Sequence, residues 1–214
     1  MFQFIEDNTI VFNKGKTSIL LKRYSLRCCC LTLLVLLAVT NVLHATTPEK
    51  GMFLVADEQL KDPRFRNGVI LLIQHNEQGS AGLVINRGSR LSLSAILPKD
   101  SSLTGDGGTL SYGGPVDPNT LLALVKVRNY PPEPAEEVVE GLYVTGVGVL
   151  DEWTDFSAEV VSYRTFVGYT GWAAGQLGAE IQRGDWSVLQ ADAESVLTGD
   201  QGQLWKRLRE TLQK

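Results

Sequence analysis

Short apolar segments separated by polar turns dominate the chain from residue 51 onward. Residues 52–56 and 69–73 are continuous apolar runs, which are typical of strands buried on both faces. A polar turn ending at Gly79 separates 69–73 from another apolar run at 81–85, and this spacing predicts a β-hairpin. Four more strands are predicted at 109–112, 121–127, 142–147 and 162–167.

Helical periodicity is clearest over residues 172–183. In that segment Ala173, Leu177 and Ile181 recur on one face, and Gly184 follows as a C-terminal stop. The mixture of strand and helix patterns indicates an α/β (α+β) fold. One or two helical turns are predicted within 91–97, and short helices are predicted at 192–197 and 203–212.

The N-terminal part of the chain reads as a targeting segment. Three basic residues precede an almost wholly apolar run at 28–43, which matches a secretory signal and is short for a membrane span of about 20 residues. We therefore expect a signal peptide at 22–45, with an uncleaved signal-anchor as the alternative because Leu43 replaces a small residue near the cleavage point. The remaining parts are an unassigned extension at 1–21, which an early start codon would explain, and a single domain at 46–214.

The composition restricts the chemistry of that domain. The three cysteines are consecutive at 28–30, and His75 is the one histidine after residue 45. Disulfides, Cys–His catalysis and multi-His zinc sites are therefore excluded from the domain, and no metal, cofactor or catalytic residue is assigned. After residue 45 the chain has 15 Lys and Arg against 22 Asp and Glu, a net charge of −7. An acidic domain argues against nucleic acid as a partner.

Two glycine-rich segments are candidate binding elements. Gly113 and Gly114 precede a proline in a turn that could hold an anion in a nest of backbone N–H groups, although simple chain reversal is the more common role. The second segment contains Tyr169, Trp172 and Gln176 at a predicted strand-to-helix corner, where the aromatic rings could line a pocket. As in the first segment, the structural role is the more common one, here core packing of Trp172 at a tight corner.

Three polar residues near the predicted hairpin complete the candidates. His75 lies at a strand end beside a glutamate, which allows a general base but equally a solvated turn residue. Asn86 and Arg87 follow the next strand, where they either form a binding surface or fix a neighbouring loop. A hydrolase that uses His75 is therefore one alternative, although no nucleophile elbow accompanies it.

Taken together, these motifs resemble the YqgE/AlgH family of bacterial proteins over about residues 51–210. The motifs are Asp-Pro-x-Phe at 62–65, Gly-Leu-Val-Ile-Asn-Arg at 82–87, Gly-Gly-Pro-Val at 113–116 and Gly-Tyr-x-Gly-Trp-x-x-Gly-Gln-Leu-x-x-Glu at 168–180. The resemblance implies a bent mixed sheet that forms a pseudo-barrel with helices packed outside. It implies no established enzymatic activity, and some members are described as regulators, including of exopolysaccharide production.

The chain departs from the family pattern at several places. Glu58 stands where the family commonly has proline, and Thr120 and Val125 replace an arginine and a histidine. The presequence is the largest departure, because the family is usually thought cytoplasmic. The leading hypothesis is therefore a non-enzymatic binding or regulatory domain, periplasmic or anchored in the inner membrane, with an unknown small molecule or protein as partner. A cytoplasmic regulator is the alternative, and any membrane contact is expected through 22–45 alone.

The targeting hypothesis predicts the mass of the native protein after cell fractionation. A periplasmic species that begins near Thr46 is expected, since the signal would be cleaved after the apolar run. Intact-mass spectrometry of each fraction measures this, and an uncleaved membrane species would indicate the anchor. A soluble full-length species in the cytoplasm would contradict both forms of the hypothesis.

Overall fold

The computed structural model describes residues 9–13, 18–22, 47–101, 103, 109–129, 131–153 and 159–213. Contacts divide the chain into two units, Met1–Ala45 and Thr46–Lys214. In the first unit, β1 (Thr9–Asn13) and β2 (Ser18–Lys22) form an antiparallel hairpin. The apolar run of the predicted signal, 28–43, lies outside the described residues. Within the described part, no helix is long and apolar enough to cross a membrane.

A ten-stranded sheet forms the second unit. Its strands are β3 (Met52–Ala56), β4 (Val69–Asn76), β5 (Gly79–Val84), β6 (Gly88–Ser92), β7 (Thr109–Tyr112), β8 (Val116–Val127), β9 (Glu136–Val139), β10 (Leu142–Gly146), β11 (Val160–Ala173) and β12 (Trp186–Gln190). The order is β12-β3-β4-β5-β11-β8-β10-β9, with β7 beside β11 and β6 beside β7. The pairing of β7 with β11 is parallel, whereas the other described pairings are antiparallel, so the sheet is mixed as predicted.

Among the residues that the structure describes, four helices and a short 3₁₀ turn accompany the sheet. They are the 3₁₀ turn Leu93–Ala95, α1 (Val147–Glu152), α2 (Gln176–Gln182), α3 (Ala193–Leu197) and α4 (Gln201–Leu212). The side chain of Asp192 accepts a hydrogen bond from the Ser195 N–H at 2.7 Å, which caps α3. On α4, Trp205 donates its indole N–H to the Ala56 carbonyl at 2.8 Å, and this bond fastens the C-terminal helix to the end of β3.

Burial on both faces explains the continuous apolar runs of the central strands. Along β3, Phe53 and Val55 belong to one hydrophobic cluster, and Leu54 and Ala56 belong to another on the opposite face. The first cluster includes side chains of β9, β10, α3 and α4, and the second includes side chains of β11, α2 and β12. The sheet is also bent. β3 and β9 are far apart in the strand order, yet Gly51, just before β3, lies against the Val138 carbonyl of β9.

The long strand β11 holds the two halves of the sheet together. Its first part, as far as Tyr169, pairs with β8. Its last four residues, from Thr170 onward, pair with β5. The register shifts between Val167 and Tyr169, where Gly168 has a φ of +67°. Glycine adopts this left-handed conformation without the steric cost that a Cβ would add. Gly168 therefore lets β11 pass from one half-sheet to the other.

A partly buried arginine fastens β11 to its neighbours. Arg164 donates to the Val196 carbonyl at 2.7 Å, the Ile85 carbonyl at 2.8 Å and the Ser111 hydroxyl at 3.0 Å. Its guanidinium also lies 5.1 Å from the centre of the Phe166 ring. Burial lowers the pKa of Arg164 to about 10, so the side chain stays charged at neutral pH. Val196 lies in the last turn of α3, where the helix carbonyls lack partners within the helix. The positive charge of Arg164 is favourable at this end of the helix dipole.

Most sequence predictions of strands are confirmed, whereas two helical predictions are confirmed only in part. The predicted strands at 52–56 and 109–112 are present with the same bounds. One or two helical turns were expected within 91–97, and this segment contains one 3₁₀ turn that follows the end of β6. The apolar pattern also did not predict β9, β12 or α1, which are short and half-exposed.

The predicted helix at 172–183 begins four residues late. Trp172 and Ala173 remain in β11, where Trp172 pairs with Ser80 of β5, and the helix starts at Gln176. Gly175, with a φ of +74°, is the residue before the helix rather than part of its interior. Strand pairing therefore overrides the local helical spacing in this segment. Gly184 ends the segment as predicted, with a φ of +81°.

Close backbone contact between the Gly113–Gly114 turn and β11 predicts the effect of a single methyl group. A Cβ at Gly113 would overlap the Gly168 carbonyl oxygen, so Gly113→Ala should lower the free energy of unfolding by about 2–4 kcal/mol. Urea denaturation measures the change. Gly148→Ala is the matched control, because open space surrounds Gly148 in α1. The free energy of unfolding of this variant should stay the same or rise slightly, since alanine is less costly than glycine in a helix. Equal stability of the two variants would contradict the close-contact explanation.

Candidate functional site

A cleft of about 690 Å³ opens where α2 meets the ends of β11 and β12. Its walls come from the loop 57–65 after β3, from the start of β8 at Val116 and from the end of β11. The helix α2 and the turn 183–186 complete the enclosure. Sites for small ligands commonly have this size, about 300–1,000 Å³, and lie between secondary-structure elements. The cleft is therefore the candidate functional site.

Glu180 organises the cleft through three hydrogen bonds. Its Oε2 atom accepts the indole N–H of Trp172 and that of Trp186, each at 2.8 Å. Its Oε1 atom accepts from the Gln176 amide at 2.9 Å, one helical turn earlier on α2. Gln176 in turn accepts from the Ala173 N–H at 3.1 Å. One carboxylate thus fixes side chains from β11, α2 and β12 in a single arrangement.

Aromatic rings pack around this carboxylate. The rings of Trp172 and Trp186 are 6.2 Å apart and meet edge to face at 83°. Phe65 meets Trp186 in the same manner at 5.9 Å and 64°. Such geometry is favourable because the positive edge of one ring faces the negative face of another. Both indoles are nearly buried, so their positions are set before any ligand arrives.

Most charges around the cleft are paired locally. Asp62 contacts Arg64 at 2.7 Å and Asp185 contacts Arg183 at 2.7 Å, both as partly exposed pairs. The hydrogen bond from Arg64 lowers the pKa of Asp62. Asp57 contacts Arg209 at 3.1 Å. Exposed pairs of this kind contribute little to stability but fix which charges a ligand would meet.

The predicted residues Asn86 and Arg87 hold the loop that forms one cleft wall. Asn86 accepts the Val69 N–H at 2.9 Å and donates to the Asn67 carbonyl at 2.8 Å. Arg87 donates to the carbonyl of Arg66 at 2.8 Å and also to that of Arg64. These contacts to backbone groups support the loop-fixing alternative.

The predicted glycine turn and Tyr169 lie beside the cleft rather than in its lining. The Gly113 N–H donates to the Val167 carbonyl at 2.9 Å, so this donor already has a backbone partner in the sheet. Tyr169 packs against the hydrophobic cluster on the other side of the sheet. Of the eight predicted binding residues, the cleft lining therefore brings together Trp172 and Gln176.

His75 lies outside the cleft lining, at the exposed end of β4. Its Nδ1 atom is 2.7 Å from the Ser80 hydroxyl on the neighbouring strand. A histidine beside a serine is one part of a nucleophile–base pair, but Ser80 is nearly buried within the sheet. In the described residues, no group of three or more His, Cys, Asp or Glu side chains could hold a metal ion.

Sequence reasoning missed several residues of the cleft. Glu180 and Trp186 are central to it, and Phe65 and Arg64 line its wall. The spacing of four between Gln176 and Glu180 was a usable signal, since it places the two side chains together on a helix. No local signal marks Trp186, because it joins the site through the pairing of β12 with β3.

The fold and cleft define an α+β domain built on one bent, mainly antiparallel sheet. The sequence model of the AlgH-like family matches residues 53–214. A UPF0301 protein of Mycobacterium leprae is 39% identical over 163 residues, covering 74% of this chain and 79% of that protein. A UPF0301 protein of Rhodococcus opacus is 37% identical over 163 residues, covering 74% and 80%.

Two solved structures resemble the fold. The AlgH protein of Pseudomonas aeruginosa has a TM-score of 0.61 at 27% identity, covering 77% of this chain and 87% of that one. A Corynebacterium diphtheriae protein has a TM-score of 0.67 at 24% identity, covering 80% and 91%. The chain therefore belongs to the AlgH-like family, as its motifs predicted, and the function of this family is uncharacterised.

The Glu180 arrangement predicts a loss of stability on truncation. Glu180→Ala leaves two nearly buried indole N–H groups without their acceptor, and the free energy of unfolding should fall by about 2–4 kcal/mol. Glu180→Gln retains one carbonyl oxygen for the indoles and should lose less than half as much. Urea denaturation compares both with Glu77→Ala, an exposed turn residue expected to change stability by less than about 0.5 kcal/mol. A Glu180→Ala protein as stable as the Glu77→Ala control would refute this role.

Proposed function

We propose that this protein is a non-enzymatic binding domain that holds a small molecule, or a short segment of a partner protein, in the cleft around Glu180. The observation that supports this most directly is the fixed set of Trp172, Gln176 and Trp186 around one carboxylate. Groups that are held in place before binding lose little conformational entropy when a ligand arrives. The cleft also combines aromatic surface with polar atoms, which is typical of ligand sites.

The second part of the proposal concerns location. The basic stretch and apolar run within 22–45 support export to the periplasm or anchoring in the inner membrane. In either case the domain at 46–214 would meet ligands outside the cytoplasm. A regulator in the cytoplasm, as the family resemblance implies, is the alternative that the fractionation experiment distinguishes.

A hydrolase that uses His75 is the weaker candidate function. The contact of 2.7 Å between His75 and the Ser80 hydroxyl favours it, since a base beside a hydroxyl is a requirement of nucleophilic catalysis. Against it stand the burial of Ser80 and the position of the pair outside the cleft lining. A binding role needs neither residue to react.

Binding in the cleft predicts which signals respond in a nuclear magnetic resonance screen. A set of small polar compounds of all charge types is added to ¹⁵N-labelled protein. We expect the indole N–H signals of Trp172 and Trp186 to shift with at least one compound, because both groups lie at the cleft. The indole signal of Trp205, which donates to the Ala56 carbonyl, should stay constant.

A matched pair of variants locates the binding. Val116 lies at the cleft and is 36% exposed, so Val116→Arg should weaken any observed binding about tenfold or more by filling the opening. Val161→Arg is the control, because Val161 is a 52% exposed β11 residue outside the cleft lining. Unchanged affinity in Val116→Arg, or the absence of any compound that shifts the cleft signals, would overturn the proposed function.

A further inference from the structure

The carboxylate of Glu180 differs from the other carboxylates of the cleft in its partners. Asp57, Asp62 and Asp185 each contact an arginine within 3.1 Å. In the described part of the chain, no Lys or Arg nitrogen lies within 4.0 Å of the Glu180 oxygens, whose partners are three neutral N–H groups. The negative charge of Glu180 is therefore held in place without being matched by a cation.

This carboxylate also has capacity for one more donor. Two carboxylate oxygens offer about four acceptor positions. The two indoles and the Gln176 amide use three of these positions, with two on Oε2 and one on Oε1. Glu180 lines the cleft and is only partly buried, so we expect the remaining position on Oε1 to accept from a donor that enters from solvent.

The surroundings of Glu180 favour a donor that carries positive charge. Trp172 and Trp186 line the same cleft, and aromatic rings attract cations through their negative faces. The third ring, that of Phe65, already has the Arg64 guanidinium 5.7 Å from its centre. The cleft lining has four carboxylates, those of Asp57, Asp62, Glu180 and Asp185, against three cations, those of Lys61, Arg64 and Arg183. The two arginines are already paired with aspartates, so they add little attraction for an anion. A positively charged ligand would gain both the charge-assisted hydrogen bond and the contact with the rings.

We propose that the ligand of the cleft carries an organic cation, an ammonium or guanidinium group, which binds the free acceptor position of Glu180. This inference rests on the proposed function, because it assigns a chemical class to the same site. The group belongs either to a small amine or to a lysine or arginine side chain of a partner, and the shared chemistry is the positively charged N–H donor.

A pair of probes that differ in charge tests the proposal on the unmodified protein. N-butylguanidinium and neutral N-butylurea have nearly the same shape, and each is titrated into the full chain while the indole signals of Trp172 and Trp186 are followed. We expect the guanidinium to bind at least about tenfold more tightly than the urea. The difference should shrink as salt is added, since part of the attraction is electrostatic.

A variant assigns the preference to Glu180. Glu180→Gln keeps an oxygen acceptor for the indoles but removes the charge, so it should weaken guanidinium binding about tenfold and leave urea binding unchanged. Glu77→Gln, in the exposed turn before Gly79, is the matched control and should change neither affinity. The comparison of probes on the unmodified protein does not depend on the stability of either variant.

The possible failures are distinguishable. Equal affinity for the two probes at the cleft would overturn the cation assignment and leave the binding function standing. Binding of anionic or neutral compounds from the screen, with no response to N-butylguanidinium, would do the same. Cleft signals that respond to no compound at all would overturn the assignment together with the proposed function.

Discussion

The fold depends on one close crossing of backbone, in which the turn at Gly113 and Gly114 lies directly against β11 at Gly168. A Cβ at any of these three positions would collide with a carbonyl of the opposing segment. The crossing lets β11 leave its pairing with β8 and continue along β5, so that one strand serves both half-sheets. Because two hydrophobic clusters lie on opposite faces of the joined sheet, the core depends on this crossing.

The course of β11 from β8 to β5 also forms the cleft. After passing Gly168, β11 carries Trp172 to the end of the sheet, where the turn at Gly175 reverses the chain into α2. Trp172 and Glu180 are eight residues apart, and in one continuous helix their backbones would be separated by about 12 Å along the axis. A hydrogen bond of 2.8 Å between them therefore requires the break at Gly175.

Local patterns in the sequence predicted the strands that are buried on both faces, because their apolar runs depend on burial alone. The strand of Met52–Ala56 is an example. Prediction failed where long-range pairing decided the structure. Residues 172–175 have helical spacing, yet pairing with β5 keeps Trp172 and Ala173 extended. Trp186 reaches the cleft through pairing with β3, and residues 130 positions apart in the chain give no local signal of such contact.

Two kinds of polar residue surround the cleft, the predicted pair Asn86 and Arg87 and the unpredicted Glu180. Asn86 and Arg87 make hydrogen bonds to backbone groups of another segment. Their role is therefore structural, because they position a cleft wall and do not line the cleft themselves. Glu180 also has three internal partners, but these are neutral donors that leave its charge unmatched. A carboxylate held beside aromatic rings without a cation is costly to keep partly out of water. A cationic ligand would offset that cost, and this gives the cleft its preference.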